Sequence, residues 1–204
     1  MAAISVVLAI IAASGASATV LCKEEGVAEA CPAGKSVGSG TVLKAELTAG
    51  IPSVLHIGIG EVTCMNSKLE GKMTTAGGAL GVPVKGGIIE ASWTNCTCNG
   101  VAATMVPGNL AWSTEINGTG NKDGALTLLE PRLKIECEGL VCNYQKASIT
   151  NLQFKGGNPA EIHAAIGQVF FERAPGSFFF CAMSAEWDAE YEVATPKPVF
   201  VTKT

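Results

Sequence analysis

Between Cys181 and Val193 the chain alternates without interruption. Cys181, Met183, Ala185, Trp187, Ala189, Tyr191 and Val193 are apolar or small. Ala182, Ser184, Glu186, Asp188, Glu190 and Glu192 stand between them. A period of two gives a β-strand one face for a core and one for water, whereas a helix would scatter both sets around its axis. The stretch is read as a half-buried strand with Glu186, Asp188, Glu190 and Glu192 as its acidic outer face.

The rest of the chain repeats this logic with shorter runs. Strands are expected over 42–47, 54–65 (Leu55, Ile57 and Ile59 on one face), 68–74, 87–98, 101–106, 110–116 and 125–137. The last of these has Leu129, Leu133, Ile135 and Cys137 on one side, and Pro131 marks an edge or bulge. Residues 144–154, 161–173 and 178–195 read as a three-stranded meander. Asn99-Gly100 between two such runs is the strongest hairpin signal, because a two-residue turn of that type needs φ > 0 at both positions. The Gly-rich stretch 76–83 reads as a flexible connection, and the Pro-rich tail from Pro196 as an edge strand. No segment carries a helical period. Roughly ten short strands with Gly and Pro turns predict an all-β fold: an antiparallel sandwich or barrel spanning 19–204 as one domain.

Before that domain lies an apolar run, residues 4–13, followed by Ser14-Gly15-Ala16-Ser17-Ala18. Ala16 and Ala18 are the small residues a signal peptidase reads, so 1–18 is expected to be a cleaved signal peptide, although no Lys or Arg precedes the run. The run is shorter than the about 20 apolar residues a bilayer span needs. Lipidation at Cys22 is disfavoured by the bulky Leu21 before it.

All eight cysteines lie beyond the expected cleavage point: Cys22, Cys31, Cys64, Cys96, Cys98, Cys137, Cys142 and Cys181. An even count in an exported chain predicts disulfides. Thiolate zinc is disfavoured, since Cys96-Thr97-Cys98 is not the C-x2-C knuckle of structural sites. Cys22 with Cys31 is the most local pair. Beyond it two schemes stand. One closes Cys137 with Cys142 across a hairpin and leaves Cys64 and Cys181 for Cys96 and Cys98. The other joins Cys64 to Cys96 or Cys98 and Cys142 to Cys181, with Cys137 taking the remainder. Spacing alone does not choose between them.

Several segments together resemble a group of secreted, cysteine-containing β-proteins predicted from actinobacterial genomes. They are Leu21-Cys22-Lys23, Gly60-Glu61-Val62-Thr63-Cys64, Thr75-Ala76-Gly77-Gly78, Cys96-Thr97-Cys98, Gly156-Gly157-Asn158-Pro159-Ala160 and Pro196-Lys197-Pro198. The resemblance covers nearly all of 19–204. It implies export and β-structure, and no catalytic residues.

The composition narrows the function classes. A formal charge of −4 with no basic run argues against nucleic acid as a partner, and no second apolar stretch is long enough to span a membrane. The two histidines, His56 and His163, stand in expected strands away from any G-x-S-x-G or H-E-x-x-H motif. No catalytic, cofactor-binding or metal-ligating residue is assigned. The reading is a secreted or cell-surface, non-catalytic β-domain with a structural or binding role toward an extracellular glycan or protein. Two alternatives remain: a glycan-active enzyme using a carboxylate pair beside Trp93, Trp112 or Trp187, and a lectin-like or calcium-binding adhesin using the acidic face of Glu186, Asp188, Glu190 and Glu192.

Overall fold

The structure is a computed structural model that describes residues 17–26, 30–58 and 60–203. Most of the expected signal segment (1–16) and Ile59 lie outside the described residues. The described residues are all β, paired antiparallel throughout, in sixteen strands. In chain order these are β1 (Ala18–Cys22), β2 (Val42–Leu47), β3 (Ser53–His56), β4 (Glu61–Met73), β5 (Gly77–Leu80), β6 (Val84–Cys98), β7 (Val101–Gly108) and β8 (Trp112–Gly120). There follow β9 (Asp123–Leu129), β10 (Arg132–Cys137), β11 (Leu140–Gln145), β12 (Ser148–Lys155), β13 (Glu161–Ala164), β14 (Phe170–Arg173), β15 (Ser184–Thr195) and β16 (Phe200–Lys203).

Followed along the ladder, thirteen of these strands resolve into eight long rods. The rods are β2/β3, β4, β6, β7/β8, β9/β10, β11/β12, β13/β14 and β15, and each pairs with the next in sequence. The last rod, β15, pairs back onto both β2 and β3. Of the two expected architectures, the ladder therefore forms the barrel, an up-and-down barrel of eight rods. Closure by neighbours in sequence needs no long crossover and leaves no open edge in the ring.

Five rods are interrupted near mid-height, and this divides the barrel into an upper and a lower half. The upper ring holds β2, β8, β9, β12 and β13; the lower holds β3, β7, β10, β11 and β14; β4, β6 and β15 run through both. The expected strands 125–137, 144–154 and 161–173 are each two strands, one per half. At the first of these breaks Glu130 takes φ 52° and Pro131 has no N–H for the ladder. The interruption also shifts the inward phase: Leu126 and Leu128 face the core on β9, and Leu133 and Ile135 on β10, leaving Leu129 half-exposed. Conversely, 66–67 interrupts nothing, because β4 is continuous there. The break falls at 57–60 instead, where Gly58 has φ 78° and Gly60 φ 157°.

Three further expectations change. Residues 77–80 are a strand, not a loose connection: β5, β1 and β16 form a small sheet in the order β16-β1-β5 that packs over the upper end of the barrel. The tail strand β16 is at its edge. The long alternating stretch enters the ladder at Ser184, and residues 178–183 form a loop.

An eight-strand barrel is just wide enough for its inward side chains to fill. At mid-height an aromatic cluster does so. Trp187 lies 6.5 Å from Trp93, 6.3 Å from Phe171 and 6.0 Å from Tyr191, between ring centroids. Two of its three polar groups are satisfied internally: Trp187 Nε1 donates to Ser53 Oγ at 3.0 Å, and the Tyr191 hydroxyl lies 2.9 Å from Ser67 Oγ, while Trp93 Nε1 is buried without a hydrogen-bond partner among the described residues. Burial pushes the Tyr191 phenol up to about 12, against the pull of Ser67, Ser53 and Trp93. Two small apolar voids, about 40 and 20 Å³, lie in the upper half beside Leu69, Ile88 and Leu126.

All eight cysteines are paired: Cys22–Cys31, Cys64–Cys96, Cys98–Cys137 and Cys142–Cys181. The hairpin closure of Cys137 with Cys142 fails for a register reason. The turn there is only Glu138-Gly139, so Cys137 faces Leu140 and Cys142 faces Ile135. Cys64 and Cys96 are direct cross-strand partners on β4 and β6. The Asn99-Gly100 hairpin forms as expected, with φ of 52° and 84°.

Candidate functional site

One polar neighbourhood of the barrel wall lies where β9, β12, β13 and β15 run side by side. On β12 the register with β9 shifts between Ile149 and Leu152. This bulge turns two successive side chains, Thr150 and Asn151, outward together, and bulges commonly re-aim side chains at functional surfaces. A hollow of about 410 Å³ opens there, lined by Thr119, Asp123, Asn151, Gln153, Lys155 and Gln168 among others. A second hollow of about 210 Å³ shares Thr150, Asn151 and Gln168 with it and ends against Phe170. Together they make one groove in which hydroxyl and amide groups stand beside the charged Asp123, Lys146 and Lys155. Asn151 Nδ2 donates to the Gln168 carbonyl at 3.0 Å and ties the 165–169 turn to the groove wall.

One strand further round, the outer face turns acidic. The expected face of β15 is outward as read: Glu186, Glu190 and Glu192 are half-buried and Asp188 is exposed. Cross-strand pairing gives it company that the single strand did not show. Glu192 stands directly opposite Glu161 on one side and Glu46 on the other, so three carboxylates line up across three neighbouring strands. Glu46 has a close cation, Lys68 Nζ at 2.8 Å, and holds that ammonium pKa above its ordinary value. Lys155 Nζ approaches Glu161 no closer than 4.0 Å.

Both histidines join this face. His163 on β13 is opposite Glu190, and its ring lies between two carboxylates: Nε2 is 2.8 Å from Glu161 Oε2 and Nδ1 is 3.5 Å from Glu190 Oε2. One ligand atom from each of Glu161, His163 and Glu190 lies within 4.8 Å of the others, a set able to hold a metal ion. His56 on β3 sits opposite both Glu61 and Glu186, with Nδ1 3.0 Å from Glu61 Oε1. In the sequence, the spacing of two between Glu161 and His163 is visible, but the partner strand that adds Glu190 is not.

The remaining sequence candidates do not assemble into catalytic machinery. Among the described residues neither histidine contacts a hydroxyl or a thiol, and Ser53 and Ser67 are spent on the buried Trp187 and Tyr191. Trp93, Trp112 and Trp187 are 7%, 2% and 3% exposed, so none can line a sugar site beside the acidic row. At the lower end, the 174–183 loop presents Phe178, Phe179, Phe180 and Met183 to solvent. It is pinned by Cys142–Cys181 and by Arg173, whose Nη1 donates to the carbonyls of Phe179 (3.0 Å) and Cys181 (2.9 Å).

No helix among the described residues is long and apolar enough to cross a membrane. The outer barrel wall carries ion pairs such as Lys44–Glu70 and Lys85–Glu115, unlike the apolar band of outer-membrane barrels. Comparison of the chain with protein-family models, with curated proteins and with solved structures finds no match in any of the three.

Proposed function

We propose that the chain is an exported, non-catalytic binding module whose polar groove over β12 takes an extracellular glycan. The observation that carries this is the groove itself: hollows of about 410 and 210 Å³ that share lining residues on the barrel wall, where the amides and hydroxyls of Thr119, Ser148, Thr150, Asn151, Gln153 and Gln168 stand beside the charged Asp123, Lys146 and Lys155. Such groups match the alternating donors and acceptors of sugar hydroxyls, and a groove open along the wall suits a chain rather than a compact ligand. Four disulfides among the described residues fit an oxidising exterior. Ala18 pairs with Leu80, so cleavage after it leaves Thr19 to Cys22 in the small sheet.

Two measurements test the reading. Cell fractionation with mass spectrometry is expected to find peptides beginning at Thr19 outside the cytosol; a cytosolic chain that keeps residues 1–18 would overturn export. Purified surface polysaccharides are expected to retain the wild type. Changing the exposed Gln153 and Gln168 together to Ala should cut that retention at least tenfold without moving the melting temperature. Equal retention of the double variant, or none of the wild type, would overturn the groove.

A further inference from the structure

We infer that Glu161, His163 and Glu190 bind a divalent transition-metal ion, of which Zn2+ is the expected occupant, and that the ion cross-links β13 to β15. The inference does not rest on the glycan reading.

Three features lead to it. The first is the ligand set. One imidazole nitrogen and two carboxylate oxygens lie within 4.8 Å of one another on half-buried side chains, with solvent left for a fourth position. Tetrahedral zinc at bond lengths of about 2.0–2.2 Å needs such atoms about 3.3–3.6 Å apart, a closure that side-chain torsions can supply. An imidazole ligand favours zinc and its neighbours over calcium, which takes 6–8 oxygens, usually from a loop.

The second is charge. Glu161, Glu192 and Glu46 stand in direct cross-strand opposition, and like charges so placed repel. The nearest ammonium to Glu161 is 4.0 Å away. Lys155 stands opposite Glu161 on β12 at that distance, and a divalent ion bound directly to Glu161 and Glu190 relieves the Glu161–Glu192 part of the repulsion at closer range.

The third is location. β13 has only four residues, and its pairing with β15 is what brings the upper ring back to the continuous strand. The disulfides Cys64–Cys96, Cys98–Cys137 and Cys142–Cys181 all fall in the lower half. The upper ring has no covalent staple, and the metal-ligating cluster bridges its shortest strand. The sister histidine, His56, supplies a built-in control: it contacts one carboxylate, Glu61, that is 61% exposed, and gathers no third ligand atom among the described residues.

The test is zinc titration of the metal-stripped protein, followed by calorimetry, by melting temperature and by the visible spectrum of the Co2+ form. One ion per chain is expected. At free Zn2+ about a hundredfold above Kd the melting temperature should rise by about 5 °C or more. His163→Ala and Glu190→Gln should each weaken binding at least tenfold, while His56→Ala leaves it unchanged. If His163→Ala does not fold, His163→Gln and the near-isosteric Glu190→Gln carry the same reading. Absence of saturable zinc binding, binding that survives both His163 and Glu190 substitutions, or an equal response to Ca2+ would overturn the inference. Glycan retention measured with and without chelator keeps this result separate from the groove: loss of zinc binding leaves the groove reading standing.

Discussion

The upper and lower halves of the barrel are made from the same eight rods in the same order, yet they are held together differently. The upper interior is aliphatic and aromatic: Leu69, Ile88, Leu126, Leu128, Leu152 and Phe154 face one another across it. In the lower half several of the corresponding inward positions are cysteine, and three disulfides run through that interior. A cysteine pair buries less apolar area than two leucines but restricts the unfolded chain, a contribution of about 2–4 kcal/mol per bridge. One closed sheet thus uses solvent exclusion at one end and covalent restraint at the other.

The largest test of this contrast removes a staple. Replacing Cys98 and Cys137 together with Ala is expected to cost about 2–5 kcal/mol in denaturant unfolding. Hydrogen exchange should show β7, β10 and β11 losing protection while β8, β9 and β12 keep theirs. A uniform loss would mean that the halves unfold as one unit and that their difference is compositional only. Next comes the upper half. Leu126→Ala enlarges the voids that Leu126 already lines, and it should cost about 3 kcal/mol, since large-to-small changes add a cavity term. A cost below about 1 kcal/mol would show that this interior collapses freely and is not the aliphatic brace described.

A smaller effect sits at mid-height, where the halves meet. Tyr191→Phe leaves the buried Ser67 hydroxyl without its partner and should cost about 1–2 kcal/mol near pH 7. The same residue gives stability a pH dependence whose sign follows from its raised pKa. Below pH 10 the phenol is protonated both folded and unfolded and contributes no slope. Between pH 10 and about 12 the unfolded chain releases the proton while the folded chain keeps it, so stability falls as pH rises, by up to about 1.4 kcal/mol per pH unit. Tyr144, also raised to about 12 by burial, acts in the same direction. Urea unfolding at pH 8 and pH 11.5 should show a shallower loss for Tyr191→Phe than for wild type; identical slopes would locate the titration elsewhere.

The smallest expected effect is on the outer wall. Glu192→Gln removes a carboxylate that faces Glu161 and Glu46 at once, so metal-free stability should rise by a few tenths of a kcal/mol at low salt, and the gain should fade as salt screens it. A loss on this substitution would mean that Glu192 has a favourable partner and that the row is not repulsive.

Much of this architecture was legible residue by residue. The alternation through Trp187, Ala189, Tyr191 and Val193 reports which face is wet, because side chains on a strand point to opposite sides whatever the strand pairs with. Asn99-Gly100 reports a hairpin because few residues accept positive φ twice in succession. What misled was continuity. Residues 125–137 alternate well enough to look like one strand, and nothing local says that Glu130 and Pro131 hand the chain from one half of the barrel to the other. The Phe178–Phe180 run reads as strand because aromatic residues have that propensity; a disulfide and the Arg173 guanidinium hold it as a loop instead.

By itself, then, the sequence determined the class of the fold, the inward faces of its strands, its tight turns and the presence of cross-links, since each follows from stereochemistry within a few residues. Which cysteine meets which, which carboxylates oppose one another and where a histidine acquires two of them were decided by register. Register is a property of two strands, and it is fixed by the length of the turn between them or, for β13 and β15, by closure of the whole ring.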